Sequence, residues 1–372
     1  MTDGQPAKMR RLVYPTMQAP IGPQPADDAR LAALSRWLAE VLQAPVAGLE
    51  PASEDASFRR YFRVTLERGI ALPHGVPPHA SHVRTLIAMD APPPREDCRP
   101  FVRIAELLIA AGVHAPAVLA SDLERGFLLL TDLGTRTYLD ALSVSAAPAL
   151  YADAAAALVR WQSASREGVL PAYDRALLKR ELDLFADWYV AKHLGFVLSP
   201  AQKATLEDAF AKILENNLAQ PSVFVHRDYH SRNLMLAEPN PGVLDFQDAV
   251  YGPITYDIVS LLRDAYIEWD EERQLDWAVR YWEIARSARL PVREDFAEFW
   301  RDYEWMGVQR QIKVLGIFAR LWHRDGKSGY LREMPRVMRY LRGACARYRE
   351  LAPLLGLLDA LEERSPVAGY TF

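Results

Sequence analysis

The sequence predicts a two-lobed α+β protein, with a small mixed β lobe followed by a large, mostly helical lobe. Three observations point there. Aromatic and β-branched runs of strand length lie mainly in the first 131 residues. Long segments with helical spacing dominate after them. One strand-loop-strand rich in polar residues interrupts those helices. Residues 1–26, with much Pro, Gly and Gln, are expected to be a disordered tail. Residues 27–43 (DDARLAALSRWLAEVLQ) repeat apolar positions at helical spacing behind two acidic residues, so a helix is predicted. Residues 57–66 (SFRRYFRVTL) and 82–89 (HVRTLIAM) read as strands, and the Pro, Gly and His stretch at 73–80 as a loop. Residues 100–111 read as an amphipathic helix opening on Pro100, a favoured first helical position. Residues 116–120 and 127–131 (FLLLT) are two further short strands. The first lobe is thus expected at 27–131, and Asp132-Leu133-Gly134 ends it. The second lobe, 132–372, carries helical patterns at 148–163, 174–193, 200–217, 254–267, 271–288, 294–322 and 327–349.

Composition narrows the function classes. Hydrophobic residues make up 50% and charged residues 25%, which is ordinary for a soluble globular protein. A net charge of −4, with the cations spread along the chain, offers no field for nucleic acid. No apolar run approaches the ~18 residues of a membrane span, and the N-terminus lacks the apolar core of a signal peptide. Cys98 and Cys345 show no metal-ligand spacing, which fits a reducing cytoplasm and no disulfide framework. Neither a nucleic-acid nor a membrane partner is expected, and a monomer is.

The interrupting loop carries the chemistry. His226-Arg227-Asp228-Tyr229-His230-Ser231-Arg232-Asn233 reads H-R-D-x-x-x-x-N, and Val243-Leu244-Asp245-Phe246 ends an apolar strand in D-F. Phosphoryl transfer to a hydroxyl needs a carboxylate to orient or receive the hydroxyl proton, and hard oxygen ligands to hold magnesium on the ATP phosphates. Asp228 suits the first role, and Asn233 and Asp245 the second. Asp and Asn also favour plain polar turns, but the spacing of all three residues weighs against that reading.

With these motifs the chain resembles the aminoglycoside phosphotransferase and choline kinase-like family, whose members share the two-lobed protein kinase-like fold. The similarity covers roughly residues 27–330. Longer segments, among them SFRRYFR (57–63), MDAPPPREDCRPF (89–101), GFLLLTDLG (126–134) and WMGVQRQIKVLGIFARLWHRDGK (305–327), are similar to its amino-sugar branch. That resemblance implies phosphorylation of N-acetylmuramate and N-acetylglucosamine at the anomeric C1 hydroxyl, with ATP and Mg2+, in peptidoglycan recycling. It implies that Asp257 supports the catalytic loop and that His226 ties the loop to the magnesium-binding segment. It also places adenine against the backbone of Thr131 and Leu133. Another hydroxyl acceptor on the same fold, such as choline, methylthioribose or an aminoglycoside, and a nucleotide-binding pseudokinase are the competing readings.

The first lobe departs from the family pattern. The strand lysine that normally meets the α/β-phosphates falls at Met89, and the first loop lacks glycines. Ser57, Arg59 and Arg60 offer a hydroxyl and guanidiniums instead, so Arg59 or Arg60 is a candidate replacement; solvent-facing arginines are the alternative. Glu106, the usual partner of that lysine, has none to meet. For the acceptor, a sugar wants an aromatic platform and a few fixed polar groups. Trp305, Gln309 and Lys313 share a helix face, so Trp305 is a candidate platform and Gln309 a hydroxyl partner. Arg310 or Arg263 is the candidate cation for the lactyl carboxylate of N-acetylmuramate.

Overall fold

The computed structural model describes residues 25–53, 58–73, 76, 82–93 and 95–364. The expected tail lies outside these as far as residue 24, and Ser57 lies outside them too. The first lobe contains α1 (Pro25–Leu42), β1 (Val46–Ser53), β2 (Arg60–Ile70), β3 (Val83–Asp90), α2 (Arg99–Ala110), β4 (Val118–Asp122) and β5 (Phe127–Thr131). The strands form one antiparallel sheet in the order β1-β2-β3-β5-β4. β1 had no expectation from sequence. It holds Gly48 and Pro51, and an edge position tolerates the proline because one backbone side needs no partner.

Strand alternation divides the sheet into two faces. Leu34, Trp37 and Leu38 of α1 cover the face formed by Phe62, Val64, Leu66, Leu86, Ala88, Phe127 and Leu129. Met89, Leu128 and Leu130 point the other way and join Phe101 and Ile104 of α2 in the main core. Phe62 is buried in this arrangement, whereas Phe58 is exposed and lies beneath the Arg95 guanidinium.

The second lobe runs α3 (Tyr138–Ala141), α4 (Ala147–Ser163), α5 (Arg175–Leu184), α6 (Pro200–Leu218), β6 (Ser222–Val225), β7 (Leu234–Met235), β8 (Gly242–Val243), β9 (Val250–Pro253), α7 (Tyr256–Leu262), α8 (Glu271–Ser287), α9 (Phe296–Asp325), α10 (Met334–Arg347) and α11 (Ala352–Arg364). β6 pairs with β9 and β7 with β8, and the H-R-D loop hangs between the two small ribbons. The expected helix at 174–193 changes character midway, becoming π-helical over Phe185–His193. Just before it α9 comes unusually close: a Cβ on Gly316 would collide with the Leu184 backbone. Residues 327–349 split into a 3-10 segment, Ser328–Glu333, and α10.

α9 is the pillar of this lobe. Asp295 caps its start, and Gly326, at φ +69°, ends it in the left-handed conformation that glycine adopts without penalty. Its middle is buried all round, polar and charged residues included: Asp302, Glu304, Gln309, Arg310, Gln311 and Lys313 are each at most 6% exposed. Buried charge at this density requires partners, and those partners set the site.

Candidate active site

The H-R-D loop is held by backbone contacts. Both Asp257 carboxylate oxygens, at the start of α7, accept from it: the His226 N–H at 2.7 Å and the Arg227 N–H at 3.0 Å. The Asp228 N–H donates to His226 Nδ1 at 3.2 Å. The Ser231 N–H donates to Asp264 at 2.9 Å. These contacts let Arg227 keep φ at +78°, a conformation worth of order 1–3 kcal/mol of strain in a non-glycine residue.

Asn233 draws three residues together. Its amide donates to the Asp228 carbonyl at 3.0 Å and to Asp245 Oδ2 at 3.1 Å. Asp245 is exposed, sits at φ +61° and accepts a further bond from Gln247 at 2.9 Å. The described residues contain no group of three or more His, Cys, Asp or Glu able to hold a metal ion. Magnesium does not require one: it keeps several waters and takes one or two carboxylates alongside substrate phosphates. An exposed carboxylate beside a side-chain amide, both oxygen donors, fits that demand.

Below the loop lies an ionic cluster. Glu181 of α5 accepts from Arg227 at 2.6 Å, from Lys313 at 3.1 Å and from the Tyr173 hydroxyl. Lys313 also donates to the Tyr256 hydroxyl at 2.8 Å. Burial alone would raise the Glu181 carboxyl, but Lys313 and Arg227 outweigh it and hold it below its ordinary value. Burial opposes the Asp228 charge as well; Lys313 first, then His230, Arg227 and His226, keep that carboxyl low. Of the helix face proposed for the acceptor, Lys313 is thus the member that bears on the loop.

Several sequence expectations need correction. Arg60 points to the α1 face, where its Nε lies 3.1 Å from Asp90, a residue with no exposed surface that also binds Arg30 at 3.0 Å. Arg60 is a clamp between sheet and helix, not a phosphate ligand facing the main core. Arg59 lies 3.4 Å from Glu96, ahead of α2. The guanidinium on the inner face is that of Arg63, which grips the connector through Asp132 at 2.8 Å and the Gly134 carbonyl at 2.8 Å. Strand parity, counted from buried Phe62 and Val64, was the signal that could have found it. Thr131 donates its backbone N–H to the Ala117 carbonyl at 3.0 Å, so that donor is spent within the lobe. Leu133 is buried in the connector. Met89 has no exposed surface, and Glu106 is exposed with no ion-pair partner among the described residues.

The acceptor candidates, three on α9 and Arg263 at the end of α7, also move. Trp305 is 2% exposed and packs edge-on to Tyr348, 5.7 Å between ring centroids. Gln309 donates to the Leu178 carbonyl at 3.0 Å and ties α9 to α5. Arg263 is paired with Glu304 at 3.1 Å and lies over the Tyr303 ring, inside the helix packing. Arg310 donates to the Arg263 carbonyl at 3.3 Å and is buried behind the loop. None of these four presents a free surface to a sugar. Each is consumed by packing within the lobe.

Burial pushes His226 down to about 4, while the Asp228 N–H bond on Nδ1 requires a neutral ring. A histidine depressed from 6.5 contributes stability above 6.5 and loses it as pH falls through about 4. Asp257, raised by burial to about 7, works oppositely, its contribution fading as pH rises from 3.8 to about 7. Comparison with His226→Gln isolates the histidine. Between pH 6.5 and 4 the variant should lose less unfolding free energy than the parent, by on the order of 3 kcal/mol. Equal slopes in chemical denaturation would refute a neutral buried imidazole.

Comparison with known proteins agrees with this geometry. Residues 48–299 match the model of the phosphotransferase enzyme family, APH. The chain belongs to that family. It is 50% identical over 348 residues to the N-acetylmuramate/N-acetylglucosamine kinase of Pseudomonas aeruginosa, covering 91% of this chain and 98% of that protein. It is 48% identical over 344 residues to the protein of the same name from Neisseria meningitidis, with the same coverage. Among solved structures, a choline/ethanolamine kinase family protein from Mesorhizobium loti superposes with a TM-score of 0.56 at 15% identity, over 90% of this chain and 99% of that one. The gentamicin complex of the aminoglycoside phosphotransferase APH(2'')-IIa gives 0.53 at 14% identity, over 83% and 96%. The phosphotransferase has the protein kinase-like fold of these neighbours. No helix among its described residues is long and apolar enough to cross a membrane.

Proposed function

We propose that this phosphotransferase transfers the γ-phosphoryl group of ATP to the anomeric C1 hydroxyl of N-acetylmuramate and N-acetylglucosamine. The convergence of Asp228, Asn233 and Asp245 through one amide, at 3.0 and 3.1 Å, carries the reaction class. The substrate rests on the two kinases of that name, each about half identical over nine-tenths of the chain.

In this reading Asp228 accepts a hydrogen bond from the C1 hydroxyl and orients it in line with the γ-phosphorus. The sugar oxygen forms its bond to phosphorus as the bond to the β-phosphate oxygen breaks, and the hydroxyl proton passes to Asp228. Asn233 and Asp245 would hold Mg2+, which neutralises charge on the phosphates when bound. Lys313 keeps Asp228 ionised and therefore able to accept. An anomeric hydroxyl is more acidic than an ordinary alcohol, so positioning and electrostatics supply most of the rate. The product, a sugar 1-phosphate, suits a role in cell-wall recycling in the cytoplasm.

Buried Met89 and exposed Glu106 favour a second reading, nucleotide binding without transfer. One assay separates the two. ADP release with magnesium-ATP should appear with N-acetylmuramate or N-acetylglucosamine and not with glucose, choline or kanamycin, and phosphorus NMR should place the phosphate on C1. Turnover of choline or kanamycin alone would overturn the substrate. Nucleotide binding without turnover of any acceptor would establish the second reading.

A further inference from the structure

Arg320 is a half-buried cation of α9. Its Nε is buried without a hydrogen-bond partner, and no carboxylate pairs with it among the described residues. Arg324, one turn on, is already paired with Asp325 at 2.7 Å. Burial and then the Arg324 charge both work against the Arg320 guanidinium. Asp325 pulls the other way but is paired with Arg324, so a half-desolvated cation in that position gains from a further anion.

Its place on the helix says which anion. At 3.6 residues per turn, Lys313, Ile317, Arg320 and Arg324 form one stripe along α9. The stripe starts at buried Lys313, beside the H-R-D loop, passes half-buried Ile317 and Arg320, and reaches exposed Arg324. On one flank α9 packs on the end of α5 and the π-helical segment after it: Gly316 abuts Leu184, and His323 Nε2 lies 3.4 Å from His193 Nδ1. On the other flank Phe318 meets the rings of Tyr330 at 5.1 Å and Tyr266 at 6.2 Å. Arg232, on the H-R-D loop, stacks over that same Tyr266 at 4.4 Å. The stripe therefore faces the space between the two flanks, leading outward from Asp228. Arg320 stands about 10 Å along the helix from Lys313. That places Arg320 within reach of the far side of a sugar ring only if the acceptor, with its C1 hydroxyl at Asp228, lies along this stripe, which is the pose the inference below adopts.

We infer that Arg320 is a specificity-determining residue of the acceptor site, binding the carboxylate that the C3 lactyl ether of N-acetylmuramate carries and that N-acetylglucosamine lacks. The inference rests on the functional reading above. It gives Arg320 the role for which the sequence had offered Arg310 or Arg263.

The test is the ratio of kcat/KM for N-acetylmuramate to that for N-acetylglucosamine, at saturating magnesium-ATP, in the parent, Arg320→Gln and Arg320→Lys. A charge-assisted hydrogen bond to the carboxylate predicts that Arg320→Gln lowers the ratio roughly tenfold or more, mainly through KM for N-acetylmuramate. Arg320→Lys should fall between the two, because the charge survives without the fork of donors. A ratio is insensitive to loss of folded enzyme, so partial misfolding cannot imitate the effect. An unchanged ratio, or a raised KM for ATP with the ratio intact, would overturn the assignment. Turnover of neither sugar by the parent would instead overturn the functional reading, and this assignment with it.

Discussion

Asp228→Asn should lower turnover by roughly 10²–10⁴-fold, the range for loss of a positioned general base, while leaving ATP binding in place. The structure separates the two effects. The bonds that shape the loop at this position are made by the Asp228 backbone: its carbonyl accepts from Asn233, and its N–H donates to His226. An amide side chain of equal size leaves both intact. What it removes is the carboxylate that Lys313 holds ionised and that would take the proton. Calorimetric titration with magnesium-ATP, set beside single-turnover kinetics, distinguishes the outcomes. Unchanged turnover would remove Asp228 from the chemistry, and lost nucleotide binding would make it a structural residue.

The largest effect on stability is expected at Glu181. Its carboxylate faces Arg227 at 2.6 Å and Lys313 at 3.1 Å in a region where both Glu181 and Lys313 are at most 6% exposed. Glu181→Gln keeps the shape and the Tyr173 contact but takes from buried Lys313 and half-buried Arg227 the carboxylate that pairs with both, leaving Asp228 as the nearest charge. Breaking a buried pair in this way costs about 3–5 kcal/mol. Lys313→Met in the same chain removes one of the stranded charges, so the double variant should recover part of the loss. Denaturant unfolding of the four proteins in this cycle measures the coupling directly. A Glu181→Gln protein as stable as the parent would mean that the cluster is solvated rather than sealed. Turnover should fall with stability, because Arg227 immediately precedes Asp228 and its side chain is anchored by Glu181.

The parts of the site legible in the sequence were those written by short spacing. Asp228 and Asn233 lie five residues apart in one loop, and Asp245 ends the next short strand, so no distant partner was needed to bring them together. His226 and Asp257 were legible through resemblance, and Asp257 accepts hydrogen bonds from the loop backbone at His226 and Arg227. Arg60 was partly legible: alternation from Phe62 and Val64 places it on the α1 face, but its partner Asp90 is thirty residues away. Lys313, Glu181 and Arg320 were less legible still. Helical spacing puts Trp305, Gln309 and Lys313 on one face, yet each meets a different element along its length. Trp305 meets the segment after α10, Gln309 meets α5, and Lys313 meets the base of the catalytic loop.

The sequence by itself determined the α+β class, the helical lobe, the phosphotransferase loop and the absence of the strand lysine. These follow from periodicity and from residues close in the chain, where backbone geometry alone sets the distance. The tertiary structure decided which cations are spent and which remain. A guanidinium becomes a clamp, a core ion pair or a ligand site according to whether a carboxylate from another element reaches it, because a buried charge is tolerated only with a partner. Arg60 found Asp90, Arg263 found Glu304 and Lys313 found Glu181, while Arg320 was left for the substrate.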